Sequence, residues 1–226
     1  MTRYFTPDTF KFLNDLALNN NRPWFNANKA RYEDSLRQPF LRLIGDLAEP
    51  LARISPHFVA DPRPVGGSLF RIHRDARFSS DKSPYKTNAG ARFRHERGRE
   101  VAAPVFYLHL QPGNCFLGGG IWHPETATLR HIREFIVDNP AAWQRAVKGR
   151  SKKGLAMGGD SLSRPPRGFP VDHPLVEDLK RKDFVASLRL PDSVISGPNL
   201  VSRIEKDWAE VAPLIDYLCA ALDLPF

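Results

Sequence analysis

Residues 69–90 form the stretch that most constrains the fold, because they place many polar and charged side chains between two apolar flanks. Apolar and polar residues alternate over residues 70–73, which is the period of a strand with one buried face. Serines, an aspartate and a proline then make a turn cluster over residues 79–84, and alternation resumes at Tyr85. The pattern predicts two strands joined by a long polar loop, a kind of segment that often carries binding residues.

The loop carries more positive than negative charge. Between residues 71 and 86, five cations stand against two carboxylates, Asp75 and Asp81, which gives a net formal charge of +3. The cations are Arg71, Arg74, Arg77, Lys82 and Lys86. Guanidinium and ammonium groups bind phosphate and carboxylate oxygens, and the hydroxyl of Tyr85 can add a hydrogen bond. We therefore predict that the loop binds a phosphorylated or polyanionic ligand, with nucleic acid among the candidates.

Two other interpretations of the same residues stay open. Arg74 and Arg77 can clamp the two aspartates in a structural ion-pair network that holds the loop closed. Alternatively, the chain is an enzyme acting on a phosphate-containing substrate, in which Asp75 or Asp81 serves as a base or as a metal ligand. Hydrolytic metal sites usually have more than two carboxylates, and the acid-x-lysine arrangement of restriction-like nucleases is absent. We therefore expect a binding site rather than a metal-dependent hydrolase.

A run of three glycines, residues 118–120, precedes Pro124 and an apolar stripe at helical spacing. Glycines that lead into a helix N-terminus expose backbone N–H groups beside the positive end of the helix dipole. We therefore expect Gly120 to contribute to the anion site. The run matches neither the P-loop nor the dinucleotide fingerprint, and a bulge or a close-packed turn is the alternative.

Composition sets the broad limits. The chain has 226 residues, of which 42% are hydrophobic, and this predicts one domain spanning residues 1–226. The formal net charge of +8 favours nucleic acid, phosphorylated ligands or anionic surfaces as partners. The block of residues 145–153 contains five cations and no acid. It predicts either a solvated loop or a third functional class, a basic protein-interaction module.

The two cysteines, Cys115 and Cys219, are too few for a disulfide framework and have no metal-ligand spacing. The N-terminus lacks the apolar region of a signal peptide, and no apolar run is long enough for a membrane span. We therefore expect a cytoplasmic protein with no membrane partner, no metal and no cofactor.

The periodicity predicts an α+β fold in which a mainly antiparallel sheet is packed by N-terminal helices and a long C-terminal helix. The strands are expected near residues 67–74, 85–94, 103–110, 114–122 and 184–190. Thr6 and Pro7 make a helix start, with the threonine as N-cap. An apolar stripe at helical spacing over residues 199–222 predicts the closing helix.

The string Arg-x-x-Arg-Asp-x-Arg-Phe-Ser-x-Asp-Lys-Ser-Pro-Tyr-Lys-Thr at residues 71–87 resembles the signature of an uncharacterised family, domain of unknown function 2461. Stretches near residues 20–32, 118–120, 129–133 and 166–170 agree with the same family, so the resemblance spans nearly the whole chain. It implies no reaction, cofactor or substrate. It does imply that certain residues belong together, namely Arg71, Arg74, Asp75, Arg77, Asp81, Lys82, Tyr85, Lys86 and Arg133. His95, His123 and His131 match no motif position, which makes a histidine-centred mechanism less attractive.

Overall fold

An antiparallel sheet organises the fold of the computed structural model, which describes residues 2–75, 77, 79–147 and 155–226. Within these residues it has six strands in the spatial order β1, β2, β3, β4, β6 and β5, with every neighbouring pair antiparallel. The strands are β1 Phe58–Val59, β2 Ala89–His95, β3 Val105–Leu110, β4 Cys115–Ile121, β5 Ala156–Gly158 and β6 Phe184–Leu190. The predicted α+β class with a mainly antiparallel sheet is confirmed.

Helices lie before, between and after the strands. They are α1 Pro7–Leu18, α2 Arg22–Ala27, α3 Lys29–Tyr32, α4 Gln38–Asp46, α5 Ala48–Ile54, α6 Thr126–Asp138, α7 Pro140–Val147, α8 Val176–Leu179, α9 Asp192–Ile195 and α10 Leu200–Ala221, and a π-helical turn, Glu33–Arg37, joins α3 to α4. The Thr6 side chain accepts a hydrogen bond from the backbone N–H of Asp8, so α1 begins where its capping residues predict. In the part of the chain that the structure describes, no helix is long and apolar enough to cross a membrane.

The sheet has one face that packs on α10 and an opposite face that carries polar groups. Phe93 and Phe106 pair across β2 and β3, and both rings contact Trp208 of α10, at centroid distances of 4.7 and 5.4 Å. Successive side chains of a strand point to opposite faces, so the neighbouring Arg92 and Tyr107 lie on the other face. Burial of the aromatic side chains against the helix fixes the register, and with it the position of the polar groups.

The expected strand at residues 67–74 is wrong in its extent. Leu69 makes one isolated bridge to Ala91 of β2, and His73 makes another to Tyr85. The chain leaves β2 after residue 70 and then pairs with residues 84–86 of its own loop, where the backbone N–H of Lys86 donates to the carbonyl of Ile72. Because the segment changes partner, no continuous ladder forms, and regular strand β2 starts only at residue 89.

The expected strand at residues 114–122 forms as β4, but its glycine run does not lead into a helix N-terminus as the anion-site prediction required. Residues 118–120 lie inside β4, hydrogen-bonded between β3 and β6, and α6 begins only at Thr126. A Cβ on Gly119 would lie 2.8 Å from the Ile215 side chain of α10. Gly120 has a φ of +133°, and its Cβ would lie 2.0 Å from the carbonyl oxygen of Phe184. These glycines allow close packing of neighbouring strands and of α10, which is the alternative that the sequence left open.

Candidate functional site

A cleft of about 550 Å³ lies where the N-terminal helices meet the polar loop and the end of the sheet. Five of the residues singled out from the sequence line it, namely Arg71, Arg74, Asp81, Tyr85 and Lys86. The helical side contributes an apolar wall that includes Leu36 and Phe40, and the sheet contributes Tyr107 and His109. The cleft therefore combines apolar walls with convergent polar groups, as small-molecule sites do.

Tyr85 anchors the loop to the helices beside the cleft. Its ring is buried and stacks on Phe25 of α2, with centroids 4.0 Å apart and an interplanar angle of 20°. The side chain of Asn20 donates to the Tyr85 carbonyl at 2.9 Å and accepts from the Tyr85 N–H at 3.1 Å. The ring and the backbone of Tyr85 are therefore both held from the helical side, and the next residue, Lys86, is placed at the cleft.

Arg74 and Asp81 form an ion pair on the wall of the cleft. The Arg74 guanidinium also donates to the Ser79 hydroxyl at 3.1 Å, and the backbone N–H of Ser83 donates to Asp81 at 2.9 Å. Hydrogen bonds from the side chain and backbone of Ser83, followed by Arg74, lower the pKa of Asp81 to about 2. Asp81 is therefore ionised and engaged at neutral pH.

Arg77 and Asp75 form a second ion pair, outside the main cleft. The guanidinium donates to both carboxylate oxygens at 2.9 and 2.7 Å, and both residues are exposed. Hydrogen bonds from the Arg77 side chain and backbone lower the pKa of Asp75. Lys82 lies nearby, beside an adjoining recess of about 440 Å³ that it shares with Arg74 and Tyr85. The two arginine–aspartate pairs form the ion-pair arrangement that the sequence offered as the structural alternative.

Arg71 and Lys86 differ from these pairs. Within the described residues, neither makes an ion pair with a carboxylate, although both line the cleft. Asp75 is close enough to feel the charge of Arg71, but its oxygens are bound to Arg77. Burial and then the charge of Arg71 lower the pKa of Lys86, while the Phe70 ring, 5.2 Å from Nζ, favours its charged form. Two cations thus line the cleft without a carboxylate partner in the part of the chain that the structure describes.

Tyr107 and His109 also line the cleft, although the sequence prediction, which relied on charged side chains, did not include them. The Tyr107 hydroxyl lies 2.9 Å from Nδ1 of His109, whose Nε2 lies 3.2 Å from Oε1 of Gln111. Since an amide oxygen only accepts, Nε2 carries the proton and Nδ1 accepts from the tyrosine hydroxyl. Burial raises the pKa of Tyr107 to about 12 and lowers that of His109. The available signal was their shared face on β3.

A glycine shapes this part of the cleft. Gly90 lies beside Tyr107 on the polar face of the sheet, and a Cβ on Gly90 would lie 2.5 Å from the Tyr107 hydroxyl and 3.1 Å from its ring. The tyrosine side chain therefore lies across β2 over a position that has no side chain. Its hydroxyl reaches the cleft because Gly90 leaves that space free.

Two other predicted site residues lie elsewhere. Arg133 is buried in α6 and donates to the carbonyl of Arg181 at 2.8 Å, while its Nε has no hydrogen-bond partner in the described structure. Neither Arg133 nor Gly120 lines the cleft. Arg145, the first cation of the basic block, is exposed on α7, whereas residues 148–154 lie outside the described part of the chain. Among the residues described, no three histidine, cysteine or acidic side chains are grouped so that they could hold a metal ion.

Comparison with known proteins adds the family. A family model described as "Conserved hypothetical protein (DUF2461)" matches residues 8–217, which is most of the chain. The match includes the polar loop, the helices that hold Tyr85 and the strands that carry Tyr107 and His109. The search of curated proteins found no match. The chain belongs to the DUF2461 family.

Proposed function

We propose that the cleft binds a small phosphorylated or polyanionic ligand, with Arg71 and Lys86 as the principal cationic contacts. The observation that carries the proposal is that these two cations line one recess, close enough for the charge of Arg71 to act on Lys86, and have no carboxylate partner among the described residues. Like charges that share a recess repel each other when no anion is bound. A bound dianion relieves that repulsion and can accept hydrogen bonds from both groups.

The size of the cleft favours a small ligand. Its volume of about 550 Å³ lies within the range of roughly 300–1,000 Å³ that is usual for small-molecule sites. The partly exposed apolar side chains of the lining, Leu69 and Phe70, would take the uncharged part of the ligand, while Arg71 and Lys86 take the anionic end. A nucleotide or a sugar phosphate meets this description better than a nucleic-acid duplex, which would meet the protein mainly through its outer backbone.

The two aspartates give the enzymatic alternative less support than Arg71 and Lys86 give to anion binding. A general base works best with a pKa near the working pH, whereas the pKa of Asp81 is about 2 and that of Asp75 is lowered. Each carboxylate is also engaged by an arginine. Binding at Arg71 and Lys86 is therefore the function that we place first.

A thermal-shift panel tests the proposal directly. The panel contains inorganic phosphate, sugar phosphates, nucleotides and short DNA and RNA, each at two salt concentrations. A ligand present at a hundred times its Kd stabilises the native state by about 2.7 kcal/mol, which for a chain of this size raises the midpoint by about 5–10 °C. Arg71→Met and Lys86→Met should each reduce the shift.

Arg130→Met is the matched control, because Arg130 is an exposed arginine of α6 that pairs with Glu134 and does not line the cleft. It should keep the full shift, whereas a general loss of positive charge would affect all three variants alike. If no phosphate compound shifts the midpoint of the wild-type protein, or if the two cleft variants respond like the control, the proposal is wrong.

A further inference from the structure

We propose that Lys86 is a reactive amine, which condenses with the aldehyde or ketone group of a phosphate-bearing ligand to form an imine. The inference rests on the proposed function, because Arg71 would hold the phosphate while Lys86 reaches the carbonyl carbon. It goes beyond that function by naming the chemical class of the ligand and by giving the site a covalent step.

The surroundings of Lys86 carry the inference. Its side chain is half-buried in the cleft, which Arg71 also lines, near enough for its charge to act on the amine, and the ring of Phe70 lies 5.2 Å from Nζ. The charged groups lining the same cleft are Arg37, Arg71, Arg74 and Asp81, and the one acid among them is bound to Arg74. Desolvation and an adjacent cation are the two conditions that make a lysine amine nucleophilic.

Another lysine provides the contrast within the same chain. Lys180 is also half-buried, but its Nζ lies 2.6 Å from a carboxylate oxygen of Glu177. A carboxylate partner holds the charged form, which has no lone pair and cannot attack a carbonyl group. Burial alone therefore does not distinguish Lys86. The distinction is that Lys180 has an acid as its partner, whereas Lys86 has no carboxylate partner among the described residues and shares its cleft with Arg71.

The chemical step balances without a further reactant. The Nζ lone pair forms a bond to the carbonyl carbon, and the carbonyl oxygen leaves as water together with the two protons that the nitrogen loses. The ammonium form of Lys86 attracts the anionic ligand and the amine form attacks it. Both forms must therefore be reached under the same conditions, which a lowered pKa favours.

Borohydride trapping tests the proposal with a matched pair of probes, glyceraldehyde 3-phosphate and glyceraldehyde. The full-length protein is incubated with each aldehyde and reduced, and the labelled lysines are identified by peptide mass spectrometry. We expect glyceraldehyde 3-phosphate to label Lys86 in preference to Lys180 and to the exposed lysines. Inorganic phosphate should protect Lys86, and Arg71→Met should lower its labelling by the phosphorylated probe more than by glyceraldehyde.

Two variants separate a reactive amine from a merely cationic one. Lys86→Arg keeps a positive charge but removes the primary amine, so the total trapped label should fall to the level of the exposed lysines. Lys180→Arg should leave the total label unchanged. A thermal shift with phosphate but no preferential labelling of Lys86 overturns the imine and leaves the binding function standing. The absence of a phosphate shift, with equal labelling by both aldehydes, overturns both proposals.

Discussion

Two halves of one loop use positive charge differently. From residue 74 to residue 81, Arg74 and Arg77 are each bound to an aspartate of the same loop. Arg71 and Lys86, at the two ends of the loop, line the cleft and have no carboxylate partner among the described residues. The paired residues between positions 74 and 81, which we call the compensated half, hold the loop closed. Arg71 and Lys86, which we call the uncompensated half, leave their charge available to a ligand. Of the net charge of +3 counted from the sequence, two charges, those of Arg71 and Lys86, therefore lie at the ends of the loop, where the chain enters and leaves the cleft, and the third is that of Lys82, beside the adjoining recess.

The largest effect on this comparison is expected from Tyr85→Ala, because that residue holds the uncompensated half in place. Removing a buried ring that stacks on Phe25 should lower the free energy of unfolding by about 3–5 kcal/mol, measured by urea denaturation. Tyr85→Phe keeps the ring and is the control, with a loss below about 1 kcal/mol. An equal loss in both variants would mean that the hydroxyl group, and not the ring, stabilises the loop.

Gly90→Ala should have the next largest effect, by deforming the cleft without removing a charge. The new Cβ would lie 2.5 Å from the Tyr107 hydroxyl, and overpacking of this kind costs about 1–3 kcal/mol in unfolding free energy. The hydrogen bond from Tyr107 to His109 should also break, which NMR of the His109 ring nitrogens would detect. Gly158→Ala is the control in a strand, since its nearest neighbour, a methyl carbon of Val185, lies 3.8 Å away. If the two variants are equally stable, the close approach at Gly90 does not constrain Tyr107.

Asp81→Asn should convert a compensated cation into an uncompensated one. Arg74 would then add to the anionic affinity of the cleft, so the Kd for phosphate, measured by calorimetry, should fall. Glu134→Gln is the matched control, because Glu134 is an acid of α6 that pairs with Arg130, and neither residue lines the cleft. Equal affinities in the two variants would contradict the division of the loop into two halves.

Asp81→Asn should also change the pH dependence of stability by a small amount. The folded pKa of Asp81, about 2, is below its ordinary value of 3.8, so its stabilising contribution is complete above pH 3.8 and is lost as the pH falls toward 2. The midpoint of thermal unfolding, followed between pH 5 and about pH 2, should therefore fall less steeply in Asp81→Asn than in the wild-type protein. Parallel curves would mean that the Ser83 and Arg74 contacts are not maintained in solution.

Arg77→Gln should have the smallest effect. It removes one member of an exposed ion pair outside the cleft, and such pairs contribute little to stability. The midpoint shift with phosphate should equal that of the wild-type protein. A clear loss of the shift would place Arg77 in the anion site and abolish the distinction between the two halves.

The sequence predicted the architecture well because buried apolar residues recur at the period of the helix or strand that carries them. The alternation in β3 and the stripe of α10 both follow from the contact between Phe106 and Trp208, and apolar periodicity carries such contacts into the sequence. The segment at residues 67–74 has the same alternation, yet its hydrogen bonds are divided between β2 and the loop. The spacing of apolar residues does not show which segment the backbone pairs with, so the continuous strand predicted there was wrong.

The sequence predicted several residues of the candidate site but not how they are arranged. Charge counting found Arg71 and Lys86, but it could not separate them from Arg74, whose partner Asp81 is seven residues away and is brought close by the turn. It also missed Tyr107 and His109, which are neutral and reach the cleft because Gly90 lacks a side chain. These features depend on how the chain returns on itself, and a single sequence does not specify that.

Asn20 pairs with the backbone of Tyr85 through both its amide nitrogen and its amide oxygen, as a neighbouring strand would. The loop therefore takes its position from the junction of α1 and α2 as well as from β2. A shift of those two helices relative to the sheet would carry Tyr85 with it and change the distance between Lys86 and the aromatic groups of β3. The width of the cleft therefore depends on the position of the N-terminal helices, and Asn20 is the residue that couples these helices to the loop.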